Sequence, residues 1–68
     1  MSEIVFLVEE APEGGFTARA LGASIFSEAV TFDALREAAR DAVACHYDAA
    51  ERPRFIRLHF VRDEVLTA

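Results

Sequence analysis

From Val30 to Tyr47 the apolar residues recur at steps of three and four, the spacing that puts side chains on one face of an α-helix. Leu35, Ala38, Ala39, Ala42, Val43 and His46 make the stripe, with Arg36, Glu37, Arg40 and Asp41 between them. No other stretch carries this period, and the segments on either side of it read as strands. The expected fold is therefore a small sheet with one amphipathic helix laid across it. One helix covers one face of a sheet. The other face is left for a partner or for solvent.

Ile4 to Val8 is five apolar residues without alternation, which suits a central strand covered on both sides. Covering the second side takes a second copy or another protein, and this run is the main sequence argument for association. Ala11-Pro12-Glu13-Gly14-Gly15 is a turn signal, because Pro12 presets the first corner and a glycine takes the positive-φ position of a bulged hairpin. Phe16 to Leu21 alternates, with Phe16, Ala18 and Ala20 on one side and Thr17, Arg19 and Leu21 on the other. Gly22 breaks the run, and Ala23 to Ser27 reads as a short third strand with Ile25 and Phe26 on opposite faces.

Thr31 suits the helix N-cap, Asp33 complements the dipole in the first turn, and Val30 with Leu35 has the spacing of a hydrophobic staple. Arg52-Pro53 bars continuation of the helix. A last strand runs from Phe55 to about Val61, with Ile56, Leu58 and Phe60 facing one way and Phe55, Arg57, His59 and Val61 the other. A right-handed crossover through the helix makes it parallel to the first strand. The expectation is an α+β fold of one β-β-β-α-β domain over residues 1–68, its four-stranded mixed sheet ordered 3-2-1-4. Phe6, Phe16, Phe26, Phe55 and Phe60, with Phe32 at the helix start, are expected to supply the bulk of the core.

A chain of 68 residues buries only about 60% of its unfolded surface, so its core gains from a staple or a partner. The single Cys45 excludes an intrachain disulfide, and Cys45 with His46 and His59 falls short of an ordinary structural zinc set. A hydrophobic content of 53% is generous for such a globule and favours a homo-oligomer, a dimer or a tetramer. The net charge of −5 opposes general attraction to nucleic acid or anionic membrane. All seven basic residues are arginine, and the absence of asparagine and glutamine removes bidentate reading of adenine. An acidic start and the lack of a long apolar run argue against a signal peptide or membrane span; a cytoplasmic protein without membrane contact is expected.

Catalytic chemistry finds little support. Two-metal hydrolysis needs converging carboxylates, but Glu9 and Glu10 are neighbours on a strand and point apart. Asp33, Glu37 and Asp41 share a helix face with Arg36 and Arg40 interleaved, the pattern of a solvated, charge-laced face. Cys45 and His46 diverge by roughly 100° on a helix, too far for a nucleophile–base pair. Gly14-Gly15 opens no helix and forms no phosphate loop. No enzymatic activity and no cofactor are expected. Arg52, Arg54, Arg57 and Arg62 form a local basic strip, suited to phosphates or to the glutamate-rich hairpin of a neighbouring subunit.

Several short motifs, in order and spacing, resemble the HicB-like antitoxin family. They are the opening apolar strand into Glu9-Glu10, then Pro12-Glu13-Gly14-Gly15-Phe16, a short second strand, and Ser24 to Thr31 leading into Phe32-Asp33-Ala34-Leu35. The resemblance implies a β-β-β-α-β layer of reduced RNase H-like type, and the binding of a small RNA-cleaving toxin. The chain departs from the family at Leu21-Gly22-Ala23-Ser24, where a Leu-Pro-Gly-Cys type of link is common. It also has only Asp63 to Ala68 after the last strand, where many antitoxins carry a DNA-binding segment; operator binding by this chain alone is not expected. The Arg57-Leu58-His59-Phe60-Val61-Arg62 ending resembles chains labelled as a 2-oxoisovalerate dehydrogenase subunit, but 68 residues are too few for a thiamine-diphosphate site.

The functional expectation is a non-catalytic protein-interaction module that self-associates and binds a partner, with a small basic toxin as one candidate. Val5, Leu7, Phe55, Arg57, His59 and Arg62 are the candidate interaction residues. The alternatives are a weak nucleic-acid binder using the arginine strip, and a small regulatory or structural oligomer.

Overall fold

A computed structural model describes residues 3–68. Its elements are β1 (Glu3–Glu10), β2 (Phe16–Ala20), β3 (Phe26–Ala29), α1 (Phe32–His46) and β4 (Phe55–Phe60). The sheet order is β3-β2-β1-β4, with β1 antiparallel to β2, β2 antiparallel to β3, and β4 parallel to β1. The α+β architecture expected from the periodicities is the one observed. The non-alternating apolar run lies in β1, an interior strand, as its composition demands.

The β1–β2 connection is tied by hydrogen bonds from Ala11 N–H to the Gly15 carbonyl (2.9 Å) and from Gly14 N–H to the Ala11 carbonyl (3.0 Å). Gly15 has φ +84°, and a Cβ there would stand 2.7 Å from the Ala29 carbonyl oxygen. Only glycine meets both the left-handed backbone and this close approach to β3. At α1, the Thr31 hydroxyl accepts from the Ala34 N–H at 3.1 Å, and Tyr47, extended in backbone, closes the helix with its N–H on the Val43 carbonyl.

The core lies between α1 and one face of the sheet. Ile4, Phe6 and Val8 from β1 and Ala18 and Ala20 from β2 meet Leu35, Ala39 and Val43 from the helix, with Ile25 entering from the loop. Small residues on the helix stripe let it approach the sheet closely. Phe16, Phe32 and Phe60 pack edge to face in a triangle, with ring centroids 5.7–6.0 Å apart, and close the end of the core nearest the helix start.

Four expectations are corrected. The third strand begins at Phe26 and not at Ala23, because the Ala20 N–H donates to the Ile25 carbonyl and residues 21–25 are consumed in the connection. The phenylalanines do not fill the core together. Phe6 is fully buried, but Phe26 and Phe55 are 61% and 59% exposed, since their strand phase turns them to the face opposite the helix. Val30 is 84% exposed and makes no staple, as its backbone packs over Gly15 and its side chain faces outward. His46 is exposed and stacks edge-on against Tyr47 at 4.8 Å, so the buried stripe ends at Val43.

The helix does not sit centrally on the sheet. It lies chiefly over β3 and β2, and β4 is held mainly by its parallel ladder to β1 over Glu3–Val8 and Phe55–Phe60.

Candidate interaction surface

The sheet registers place the side chains of the helix-free face in rows. Phe26, Arg19, Leu7 and His59 form one row across all four strands, and Val5 with Arg57 forms the next on β1 and β4. Glu28, Thr17 and Glu9 form a third row, toward the hairpin. Leu21 follows Val5 through its N–H bond to the Val5 carbonyl (2.9 Å), and Glu3 pairs with Phe55 at the far end. Val5 and Leu7 are half-buried at the centre, ringed by exposed Leu21, Phe26 and Phe55. The result is an apolar middle with an acidic row on one side and arginines within it. An apolar patch rimmed by polar groups marks an interaction site more often than a bare surface.

Of the candidate residues, Val5, Leu7, Phe55, Arg57 and His59 come together on this face, on β1 and β4. Arg62 lies beyond β4, where its Nε reaches Glu10 at 3.5 Å. Sequence reasoning missed Arg19, Leu21 and Phe26, which complete the face from β2 and β3. The alternation of Phe16–Leu21 sets Arg19 and Leu21 opposite Phe16, Ala18 and Ala20; Phe26 escapes notice because it is counted among the core phenylalanines.

The arginine strip has partners inside the chain. Arg57 donates to Glu3 Oε2 from Nε (3.0 Å) and Nη2 (2.8 Å). Its hydrogen bond to Glu3, and then the Glu3 charge, raise the guanidinium pKa above its ordinary value. Arg52 Nη2 donates to the Ala44 carbonyl near the end of α1 (3.4 Å), and Arg54 stands 5.7 Å over the Phe55 ring. On the helix, Arg36 pairs with Asp33 (2.5 Å) and Arg40 with Glu37 (2.6 Å), so the acidic helix face is laced with its own cations. Glu9 and Glu10 diverge to opposite sides of the sheet, facing Thr17 and Phe16. Among the described residues, no three of His, Cys, Asp and Glu converge as a metal site.

One hollow borders this face, and another lies on the helix side of the sheet. The first, of about 570 Å³, sits between the hairpin turn and the end of β3, with Pro12, Phe16 and Val30 beside Glu13 and Glu28. It is open, and its lining carries the carboxylates of Glu13 and Glu28 and the Thr17 hydroxyl but no basic side chain. The other is a groove of about 90 Å³ where α1 leaves β4 uncovered, lined by Arg36, Ala39, Arg40, Ile56 and Leu58. No helix of the described residues is long and apolar enough to cross a membrane.

Comparison with known proteins places the chain beside two small relatives. It is 51% identical over 51 residues to a UPF0150 protein of Archaeoglobus fulgidus, covering 75% of this chain and 76% of the relative. It is 38% identical over 61 residues to a UPF0150 protein of Thermotoga maritima, covering 90% of this chain and 86% of the relative. No protein-family model matches, and no solved structure does.

Proposed function

This chain belongs to the UPF0150 family, and on that footing we propose that it is a non-catalytic interaction module that self-associates through the helix-free face of its sheet. The observation that carries the reading is the pairing of half-buried Val5 and Leu7 with exposed Leu21, Phe26 and Phe55 on one face. These residues are aligned by the registers and not scattered. The charges on the face are complementary to a second copy turned about a two-fold axis, since the acidic row of Glu9 and Glu28 can meet Arg19 of its mate. The test is the solution mass of the native chain against Leu7→Glu. The native chain should be at least a dimer, and the buried carboxylate should remove one association step; a native monomer at micromolar concentration, or an unchanged mass in the variant, sinks the reading.

The HicB-like resemblance extends this reading to a partner protein, a small basic RNA-cleaving toxin. The net charge of −5 supports a basic partner, and neutralising it by contact takes no catalytic residue. Co-expression with the neighbouring reading frame should yield a co-purifying small basic protein; its failure to bind removes the toxin while leaving self-association standing. Direct nucleic-acid binding is less favoured, because Arg57 and Arg62 already hold carboxylates. Single-stranded RNA should show no affinity at low salt, where phosphate contacts are strongest.

A further inference from the structure

Residues 61–68 follow β4 without joining any strand or helix, and Val65 and Leu66 are 94% and 77% exposed there. The Val61 N–H still donates to the Val8 carbonyl at 2.8 Å, so the segment leaves the sheet along the line of β4. The molecule measures 52 × 20 × 18 Å with a radius of gyration of 13.2 Å, where a folded chain of this length has about 11 Å. A projecting segment accounts for the excess. It reads Asp63-Glu64-Val65-Leu66, an acidic pair followed by an apolar pair.

The same molecule carries a site of the opposite character. β4 is an outer strand whose edge pairs with no other strand among the described residues, and an uncovered edge is a template for another strand. On the helix side of that edge lies the groove with apolar Ile56 and Leu58 at its floor and Arg36 and Arg40 on its wall. On the other side, Arg57 and His59 stand exposed. Arg40 pairs with Glu37 and Arg36 with Asp33, both exposed i,i+3 pairs that are weak and exchangeable, and Arg36 also lies 5.1 Å over the Phe32 ring.

We propose that residues 63–66 of one copy add as a strand to the β4 edge of a second copy, and that the exchange is reciprocal. A two-fold axis normal to the sheet makes each added segment antiparallel to the β4 that receives it and keeps the two faces in phase. Side chains alternate across a strand. Ile56, Leu58 and Phe60 point toward the helix side, so an extended continuation sends Glu64 and Leu66 the same way. Leu66 then enters the groove over Ile56 and Leu58, with Glu64 beside Arg36 and Arg40. Asp63 and Val65 fall on the opposite face, beside Arg57 and His59. Four residues span about 13 Å in a strand, the length of the Ile56–His59 stretch they would cover.

This contact uses the sheet edge and is separate from the helix-free face, so the two stand or fall apart. The test is a mixed disulfide in a Cys45→Ser background. Tagged chains with Arg40→Cys are mixed with untagged chains carrying Leu66→Cys and oxidised gently. Tagged–untagged dimers should exceed by about tenfold those formed when Val30→Cys replaces Leu66→Cys, because docking raises the local thiol concentration. Equal yields overturn the exchange. Repeating the mixture with Leu7→Glu in both chains separates the two contacts: a retained cross-link shows that the edge exchange forms without the face, and a lost one overturns it as an independent contact. In the native chain, Leu66→Asp should halve the solution mass or lower it by one association step with unchanged circular dichroism; an unchanged mass also overturns it.

Discussion

Arg57 grips Glu3 across the parallel β1–β4 pair, with both Nε and Nη2 on one carboxylate oxygen at 3.0 and 2.8 Å. The two residues are 54 apart in sequence, so the contact joins the ends of the fold, clasping the last strand to the first where the helix does not reach. Glu3→Gln should lower thermal stability slightly, and added salt should narrow its gap to the native chain, because Arg57 is largely exposed and Glu3 partly so, which leaves the pair screened. The raised pKa of Arg57 fixes the pH behaviour. A cation whose folded pKa lies above its unfolded value stabilises fully below the unfolded value and loses that stabilisation as pH rises through the folded one. The unfolded value already lies at the top of the titration range, so the guanidinium's contribution should stay constant from about pH 6 to about pH 10. Thermal melts of both chains across that range check it.

Gly15 and Gly14 both have positive φ, but only Gly15 would press a Cβ against the chain, 2.7 Å from the Ala29 carbonyl; Gly14 has nothing within 4 Å. Gly14→Ala should therefore cost about 1 kcal/mol, the penalty of an alanine in the left-handed region. Gly15→Ala should cost more, because backbone oxygen cannot step aside as a flexible side chain could, and β3 must shift. Urea unfolding of the two single variants compares them, and equal midpoints would show that the β3 contact is slack.

Leu35 is wholly buried at the centre of the helix stripe, within the core cluster that includes Phe6, Val8 and Ala18. Leu35→Ala should cost about 2–5 kcal/mol. A chain of this size holds roughly 3–10 kcal/mol in all, so the variant should be largely unfolded near 37 °C. Far-ultraviolet circular dichroism at increasing temperature reads the loss directly.

The strand order, the parallel last pair and the N-cap at Thr31 were legible because each follows from local chemistry. A non-alternating run seeks the sheet interior, a crossover has one hand, and a hydroxyl before a helical period caps it. The starts of strands were less legible. Ala23 to Ser27 is apolar enough for a strand, but Gly22 with its positive φ and the Ala20–Ile25 hydrogen bond draw those residues into a connection. Ile25 is buried from the loop and Phe26 faces away, so alternation alone could not tell strand from entry. The lateral position of the helix was also hidden. Periodicity gives the face that Leu35, Ala39 and Val43 bury but not which strands they meet, and the groove beside Ile56 and Leu58 depends on that offset. Alternation puts Phe55 on the side of β4 that carries Arg57, which is incompatible with a place in the core, and the strand phase prevails.

Phe26 stands at one corner of the helix-free face, 61% exposed, while Val30, past the end of β3 and outside the paired rows, is 84% exposed. The contrast separates ordinary surface exposure from exposure that association removes. A scattered exposed side chain contributes little to folding, so Phe26→Ser and Val30→Ser should each change monomer stability by no more than about 0.5 kcal/mol. An aromatic side chain inside an interface contributes far more to binding, commonly over 1 kcal/mol on truncation. Phe26→Ser should thus weaken self-association about tenfold, which corresponds to about 1.4 kcal/mol, and Val30→Ser should leave it unchanged. Sedimentation equilibrium over a concentration series measures both. If both variants weaken association alike, the sheet face has no special part in it; if neither does, Phe26 lies outside the contact and the apolar centre at Val5 and Leu7 carries it alone.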